Sequence, residues 1–211
     1  MHLSFIGLMS LVKRIASKIE TIGLASMFML LCGCGNSNSY YLKPITVKDF
    51  AKFVQQTGYI TDAEKFGWSI VQHNVFDFKV VDGATWRMPN GIDTAKADFP
   101  VAQVSYNDAI AYCNWADTRL PHYEEYWELV KNDDRKIMFN INTFAKAQEA
   151  NLVGNYWDIT SSDNPDKVRL AGGSIFCNTT TCNGTSKDRE LFVDALTGNV
   201  HISFAVVEKE K

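Results

Sequence analysis

The residues best suited to do chemistry stand in "GGSIFCNTTTC", residues 172–182, where two glycines and a serine precede Cys177 and Cys182 in a C-x4-C spacing. Two thiols this close can form a reactive pair, a metal site or an ordinary disulfide, and the compartment and the surrounding fold decide which. Cys113 is different. It falls in a helical pattern beside Ala109, Tyr112 and Ala116, the setting of a small buried hydrophobe rather than a nucleophile. His73, His122 and His201 share no metal-ligand spacing and read as ordinary surface or core residues, and His2 belongs to the leader. Glu124 and Glu125 read as a solvated helix face rather than a catalytic carboxylate pair.

The elements that must position the cysteine loop have an α+β grammar, helices first and short irregular segments after. "ITVKDFAKFVQQTG" predicts a helix capped by Thr46, with Asp49 in its first turn and an apolar stripe of Val47, Phe50, Phe53 and Val54. Gly58 stops it. "VSYNDAIAYCNWADT" repeats the pattern, with Ser105 as the cap and Asp108 three residues on. "RLPHYEEYWELVKND" predicts a third helix that has Pro121 at its start and Tyr123, Trp127 and Val130 facing inward. Beyond it "NLVGNYWDITSSDNPD", "KVRLAGGSIF" and "GNVHISFAVVEK" read as strands separated by turns, the last closing a sheet. Five tryptophans, eight tyrosines and thirteen phenylalanines point to aromatic packing as a main source of stability.

The amino end bears on the compartment. Lys13, Arg14 and Lys18 precede an apolar run, Ile22 to Leu31, that is too short to span a bilayer as a stable helix. Leu31-Cys32-Gly33-Cys34 resembles a bacterial lipobox, in which a small residue precedes the cysteine that is lipidated. The expectation is a signal peptide over 1–33, a lipid on Cys34, a polar tether over 34–42 and one domain over 43–208. A plain secretory signal or an uncleaved anchor would also export the domain. An exported lipoprotein sits in the cell envelope, on the periplasmic or outer-membrane face, and meets the membrane through its anchor. Removing residues 1–33 from 211 leaves 178, enough for one domain with a substantial core. Losing Lys13, Arg14, Lys18 and Glu20 moves the net charge from −3 to −5. With no basic stripe and an acidic balance, a nucleic-acid partner is excluded. Three cysteines remain past the anchor, and an oxidising compartment favours a disulfide among them.

Five blocks occur in one order: "FAKFVQQTGYITDAEKFGWSIV", "GATWRMPNG", "FPVAQVSYNDAIAYCNWADTRLP", "NLVGNYWD" and "GGSIFCNTTTC". Together they resemble the formylglycine-generating enzyme family, the sulfatase-modifying factors, from about Ile45 to about Phe204. The resemblance implies an irregular α+β fold with a C-type-lectin-like sheet core and little regular secondary structure. It also implies an oxidase that uses oxygen to convert a cysteine of a protein or peptide substrate to formylglycine, the aldehyde of active sulfatases. In that family the C-x4-C pair binds copper(I), a soft ion suited to thiolates. Carried over, Cys177 and Cys182 are the copper ligands, Ser174 and Trp157 line the catalytic site, and Asn199 in "TGNV" lies near the substrate. The family's "NxVGNxWEW" turn holds calcium. The matching oxygen donors here are Asn151, Val153, Gly154, Tyr156 and Asp158, with Asp158 in place of a glutamate; the alternative is an Asn- and Gly-bearing turn whose polar groups satisfy its own backbone.

The chain also departs from the family pattern. Ala171 replaces the arginine that commonly precedes Gly-Gly-Ser, "NGTSKDRELF" follows Cys182 where arginines and aromatics are usual, and "SFAVV" replaces "GFR". These changes fall on the groove for a substrate peptide and leave the cysteines intact. A non-catalytic binding module on a C-type-lectin-like scaffold is therefore the alternative to the oxidase. Periplasmic tailoring of a small molecule is a third option. In an oxidising compartment Cys177 and Cys182 are either a metal site or a disulfide, and that choice stays open at this level.

Overall fold

The computed structural model describes residues 39–138, 141, 143–178, 180 and 182–210. The leader over 1–33, Cys34 and most of the tether lie outside the described residues. In chain order the elements are β1 (Tyr40–Pro44), α1 (Val47–Thr57), α2 (Asp62–Phe66), β2 (Trp68–Gln72), β3 (Phe78–Asp82), α3 (Tyr106–Ala116) and α4 (Tyr123–Leu129). Then follow a 3-10 turn (Val130–Asn132), β4 (Trp157–Ile159), β5 (Val168–Ala171), β6 (Phe192–Val193), β7 (Ile202–Ser203) and β8 (Ala205–Lys209).

The strands form three small sheets. β1 pairs antiparallel with β8, so the first and last strands of the domain lie side by side, Leu42 opposite Val207. β2 and β3 form a hairpin. The third sheet has the order β6-β5-β4-β7, antiparallel except for the parallel β4–β7 pair. All three residues of β4, Trp157, Asp158 and Ile159, are buried, as expected of a strand covered on both faces.

Two of the helices expected from the sequence form with the expected caps. Thr46 and Asp49 complete a capping box on α1, and Gly58 ends it at φ 68°. Ser105 and Asp108 do the same for α3. The third helix is shorter than expected: it starts at Tyr123 after His122, leaves Pro121 outside, and buries Tyr126 fully while Trp127 is only half-buried. Tyr126 and Trp127 are neighbours on the helix, so the period alone does not separate them. Helix α2 and the β2–β3 hairpin come from a stretch to which the sequence reading assigned no elements.

The core is aromatic. Phe50 lies 5.3 Å from both Phe53 and Trp86, 6.0 Å from Tyr112 and 6.4 Å from Phe204 between ring centroids. α1, α3, the 84–104 loop and the segment between β7 and β8 therefore share one cluster. Cys113 is buried in it, and burial pushes its thiol up to about 11, as befits a core residue.

Loops are tied by buried polar side chains. Gln103 is fully buried at φ 59°; its Oε1 accepts from Ser69 Oγ at 2.6 Å, and its Nε2 donates to the Ile70 and Pro89 carbonyls at 3.0 and 2.6 Å. Its backbone N–H donates to the Asn199 carbonyl at 3.1 Å. The caps of α2 and α3 are also joined. Asp108 accepts from Tyr59 Oη, the Asp62 N–H and the Ser105 N–H, and Asp62 accepts from Ser105 Oγ at 2.7 Å.

Burial pushes the Asp108 carboxyl up to about 6, and the nearby Asp62 charge adds to this, against the hydrogen bonds it accepts. An unfolded aspartate loses its proton near ~4. Between these values the folded state holds the extra proton, so stability falls as pH rises through that window. Urea unfolding of the wild type is expected to lose about 2–3 kcal/mol more than Asp108→Asn between pH 4 and pH 7. Parallel pH profiles of the two proteins would remove this assignment.

Candidate functional site

The cysteine loop begins where β5 ends. Gly172 and Gly173 take φ 86° and 69°, a region that L side chains avoid. A Cβ on Gly172 would run into the Tyr126 hydroxyl, and one on Gly173 would meet the backbone of Gly184 at 2.8 Å. These glycines let the loop lie against its neighbours. The Gly154 N–H donates to the Gly172 carbonyl at 2.9 Å, and the Ile175 N–H to the Asn155 carbonyl at 3.2 Å. The Cys177 N–H then turns back to the Ser174 carbonyl at 2.8 Å, and the Cys182 N–H to the Asn178 carbonyl at 3.2 Å.

These turns bring the two cysteines together as a Cys177–Cys182 disulfide with Cα atoms 4.9 Å apart, within the usual range. Cys177 is buried and Cys182 is partly exposed. The Ser174 N–H points at Cys177 Sγ, 3.4 Å away. The pair borders a cleft of about 360 Å³ whose walls include Trp157, Ser174, Asn199 and His201. Ile70, Gln72 and Phe78 of the hairpin form the opposite side, and Arg189 also borders it.

Every residue expected at the catalytic or substrate site therefore lies in one cleft: Cys177, Cys182, Ser174, Trp157 and Asn199. Asn199 Oδ1 is buried with no hydrogen-bond partner, and Asn199 Nδ2 donates to Gln72 Oε1 at 3.4 Å. An orphaned acceptor in a binding wall is costly unless a ligand fills it. Arg169, which lies near the position of the missing arginine, is directed elsewhere: its guanidinium stacks on Tyr123 at 3.4 Å.

His201, expected to be an ordinary surface or core histidine, is a buried residue that also borders the cleft. Its Nδ1 lies 3.0 Å from Ser174 Oγ, its carbonyl accepts the Trp157 N–H at 2.9 Å, and burial lowers its pKa to about 3, which keeps the ring neutral. Its spacing from Asn199 gave no signal, because residues 199–202 form a turn closed by the Ile202 N–H on the Asn199 carbonyl at 3.1 Å.

Among the described residues no carboxylate borders the cleft, and its sulfur donors are soft. Once the disulfide is reduced, such a donor set fits copper(I) and suits hard cations poorly. Among the described residues no three His, Cys, Asp or Glu side chains are grouped to hold a metal ion, so the two sulfurs would be the main protein ligands.

The turn expected to hold calcium is built differently. Asn151 Oδ1 accepts the Val153 N–H at 2.7 Å and its Nδ2 donates to the Asp133 carbonyl at 2.7 Å, so this side chain serves the turn itself. Tyr156 and Asp158, but not Asn151, Val153 or Gly154, border a cavity of about 10 Å³, room for about one water-sized sphere. Burial pushes Asp158 up to about 7, and its one side-chain donor is Tyr126 Oη at 2.9 Å. The other walls of this cavity are Pro44, Pro100, Ala147, Ala150, Leu152 and Asn155, so of the expected calcium donors only Asp158 and Tyr156 meet there.

Residues 38–169 match the family described as the sulfatase-modifying factor enzyme 1-like domain. The match ends before the cysteine loop. The formylglycine-generating enzyme of Mus musculus is 43% identical over 99 residues, 38% of this chain and 26% of that protein. That of Thermomonospora curvata is 42% identical over 103 residues, 40% of this chain and 34% of the relative. The "inactive C-alpha-formylglycine-generating enzyme 2" of Bos taurus is 40% identical over 104 residues, again 40% and 34%. The chain thus spans about a quarter to a third of the length of these relatives. PvdO from Pseudomonas aeruginosa shares the fold, with a TM-score of 0.55 at 11% identity over 80% of this chain and 78% of that one.

The disulfide closes a very short loop, which removes roughly 2 kcal/mol of unfolded-state entropy. Reduction is expected to lower the unfolding free energy by about this amount, and the Cys177→Ser/Cys182→Ser double variant should no longer respond to reductant. An unfolding free energy that reductant leaves unchanged in the wild type would mean that the pair contributes no stabilising cross-link.

Proposed function

Since this chain belongs to the formylglycine-generating enzyme (sulfatase-modifying factor) family, with its irregular C-type-lectin-like α+β fold, we propose that its cleft oxidises a cysteine of a protein substrate to formylglycine. One observation carries the reading: two sulfurs, Ser174 and Trp157 meet in a cleft that no carboxylate borders among the described residues. Copper(I), held by the Cys177 and Cys182 thiolates after reduction, would supply the redox chemistry with dioxygen when bound. The chain's own residues do the rest. Cys182, the more exposed sulfur, meets the incoming thiol first. Trp157 closes the floor against water. The unpartnered Asn199 Oδ1 accepts a proton donor from the substrate and so orients it.

The reduced, copper-loaded protein is expected to convert a cysteine peptide into a hydrazide-reactive aldehyde, and Cys177→Ser or Cys182→Ser to abolish the reaction. Tight copper binding with no aldehyde from any cysteine peptide would overturn the reading. The disulfide, and the match to a relative named inactive at nearly the same identity, favour a second reading, a binding module without catalysis. A binder would keep its ligand in the double serine variant.

The calcium reading rests on Asp158 and Tyr156. Excess calcium is expected to raise the melting temperature of the wild type by a few degrees, as a ligand well above its Kd does, and to leave Asp158→Asn unmoved. An equal response, or none, in both proteins would remove calcium from this turn.

A further inference from the structure

We infer that His201 is a positioning residue that sets the direction of the Ser174 hydroxyl and, through Ser174, the hydrogen bonding offered to sulfur in the cleft. This rests on the reading above that the cleft handles a thiol. Ser174 is fully buried, and its Oγ has His201 Nδ1 as its one side-chain partner among the described residues. The same residue reaches Cys177 Sγ through its backbone N–H, so a shift of Ser174 is felt at the sulfur. His201 is itself held at three points. Its carbonyl takes the Trp157 N–H, its ring lies 5.4 Å from that of Phe176, and its Nδ1 meets the serine.

A neutral imidazole has one donor nitrogen and one acceptor nitrogen. With Nδ1 as the acceptor, the Ser174 proton is committed to His201. The serine lone pairs then remain to accept an S–H from the cleft, and the ring proton sits on Nε2. A Ser174 released from His201 would be free to shift, and with it the backbone N–H that faces Cys177 Sγ, which would change the nucleophilicity of that sulfur. The chemistry is therefore set by a ring that need not itself exchange a proton.

The test uses the full-length chain after reduction. Nitrogen-15 NMR of labelled histidine is expected to show His201 as the neutral Nε2–H tautomer, with an Nδ1 shift that moves in Ser174→Ala. Alkylation rates of Cys177 and Cys182 by iodoacetamide, followed by mass spectrometry, supply the second readout. His201→Phe is expected to change the Cys177 rate by about tenfold, the scale of one hydrogen bond. His201→Asn, whose amide can stand where Nδ1 stands, should restore it. Adding Ser174→Ala to His201→Phe should change it no further. Independent, additive effects of the two substitutions, or a wild-type rate in His201→Phe, would overturn the inference. If the NMR and alkylation coupling hold and no aldehyde forms, it is the oxidase reading that fails and the role of His201 stands. If aldehyde forms with no coupling, the reverse applies.

Discussion

The fold depends on a buried amide. With strands of two to five residues, the sheets cannot fix the long loops between them, and side chains must do that work. Gln103 joins the β2 strand, the loop at Pro89 and the segment at Asn199 through one side chain and its own backbone N–H. Ser69 Oγ and the Ile70 and Asn199 carbonyls have second partners in Gly198, Val200 and Ile202, so the Gln103 bonds knit these segments into one network, and the Pro89 carbonyl depends on Gln103 Nε2. Gln103 holds φ 59° to make the contacts, a strain that only a well-determined surrounding sustains. Two of the three joined segments, β2 and the Asn199 loop, are walls of the cysteine cleft.

The site has the character of a meeting point. The Gly-Gly turn supplies Ser174 and the cysteines, β4 supplies Trp157, the approach to β7 supplies Asn199 and His201, and the hairpin supplies the far wall. None of these pieces is rigid alone. They are held by the aromatic cluster around Phe50 behind them and by the Gln103 bonds beside them. The cleft combines a dry apolar floor with a few polar atoms that lack or share partners, which suits a site where a neutral thiol is bound and oriented. The disulfide ties the same loop shut at its ends.

Much of this was legible in the residue pattern. The caps of α1 and α3 follow from Thr46, Asp49, Ser105 and Asp108, because capping is local and its partners stand three residues apart. The cysteine loop and its neighbours Ser174 and Trp157 were legible through the ordered blocks, and Asn199 with them. The burial of Tyr126 ahead of Trp127 was not, since adjacent helix positions differ only in what packs against them. The service of Asn151 to its own turn was one of two readings the residues allow, since such a turn and a calcium turn share a composition, and only the structure shows that service. The hairpin from Trp68 to Asp82 went unassigned because its outer face is apolar and exposed, with Phe78 and Val80 both more than three-fifths accessible.

The sequence by itself determined the family, the α+β class, the helix caps, the buried place of Cys113 and the loop in which two sulfurs come together. These are statements about residues near each other along the chain or about a pattern repeated across relatives. The tertiary structure alone decided which polar groups face one another across it. It set His201 against Ser174 over 27 positions, Gln103 against β2, the Pro89 loop and the Asn199 segment, and Asp158 against Tyr126 beside a cavity of about 10 Å³. Such pairings depend on how loops fold back in three dimensions. Their energies come from burial, which no local spacing records.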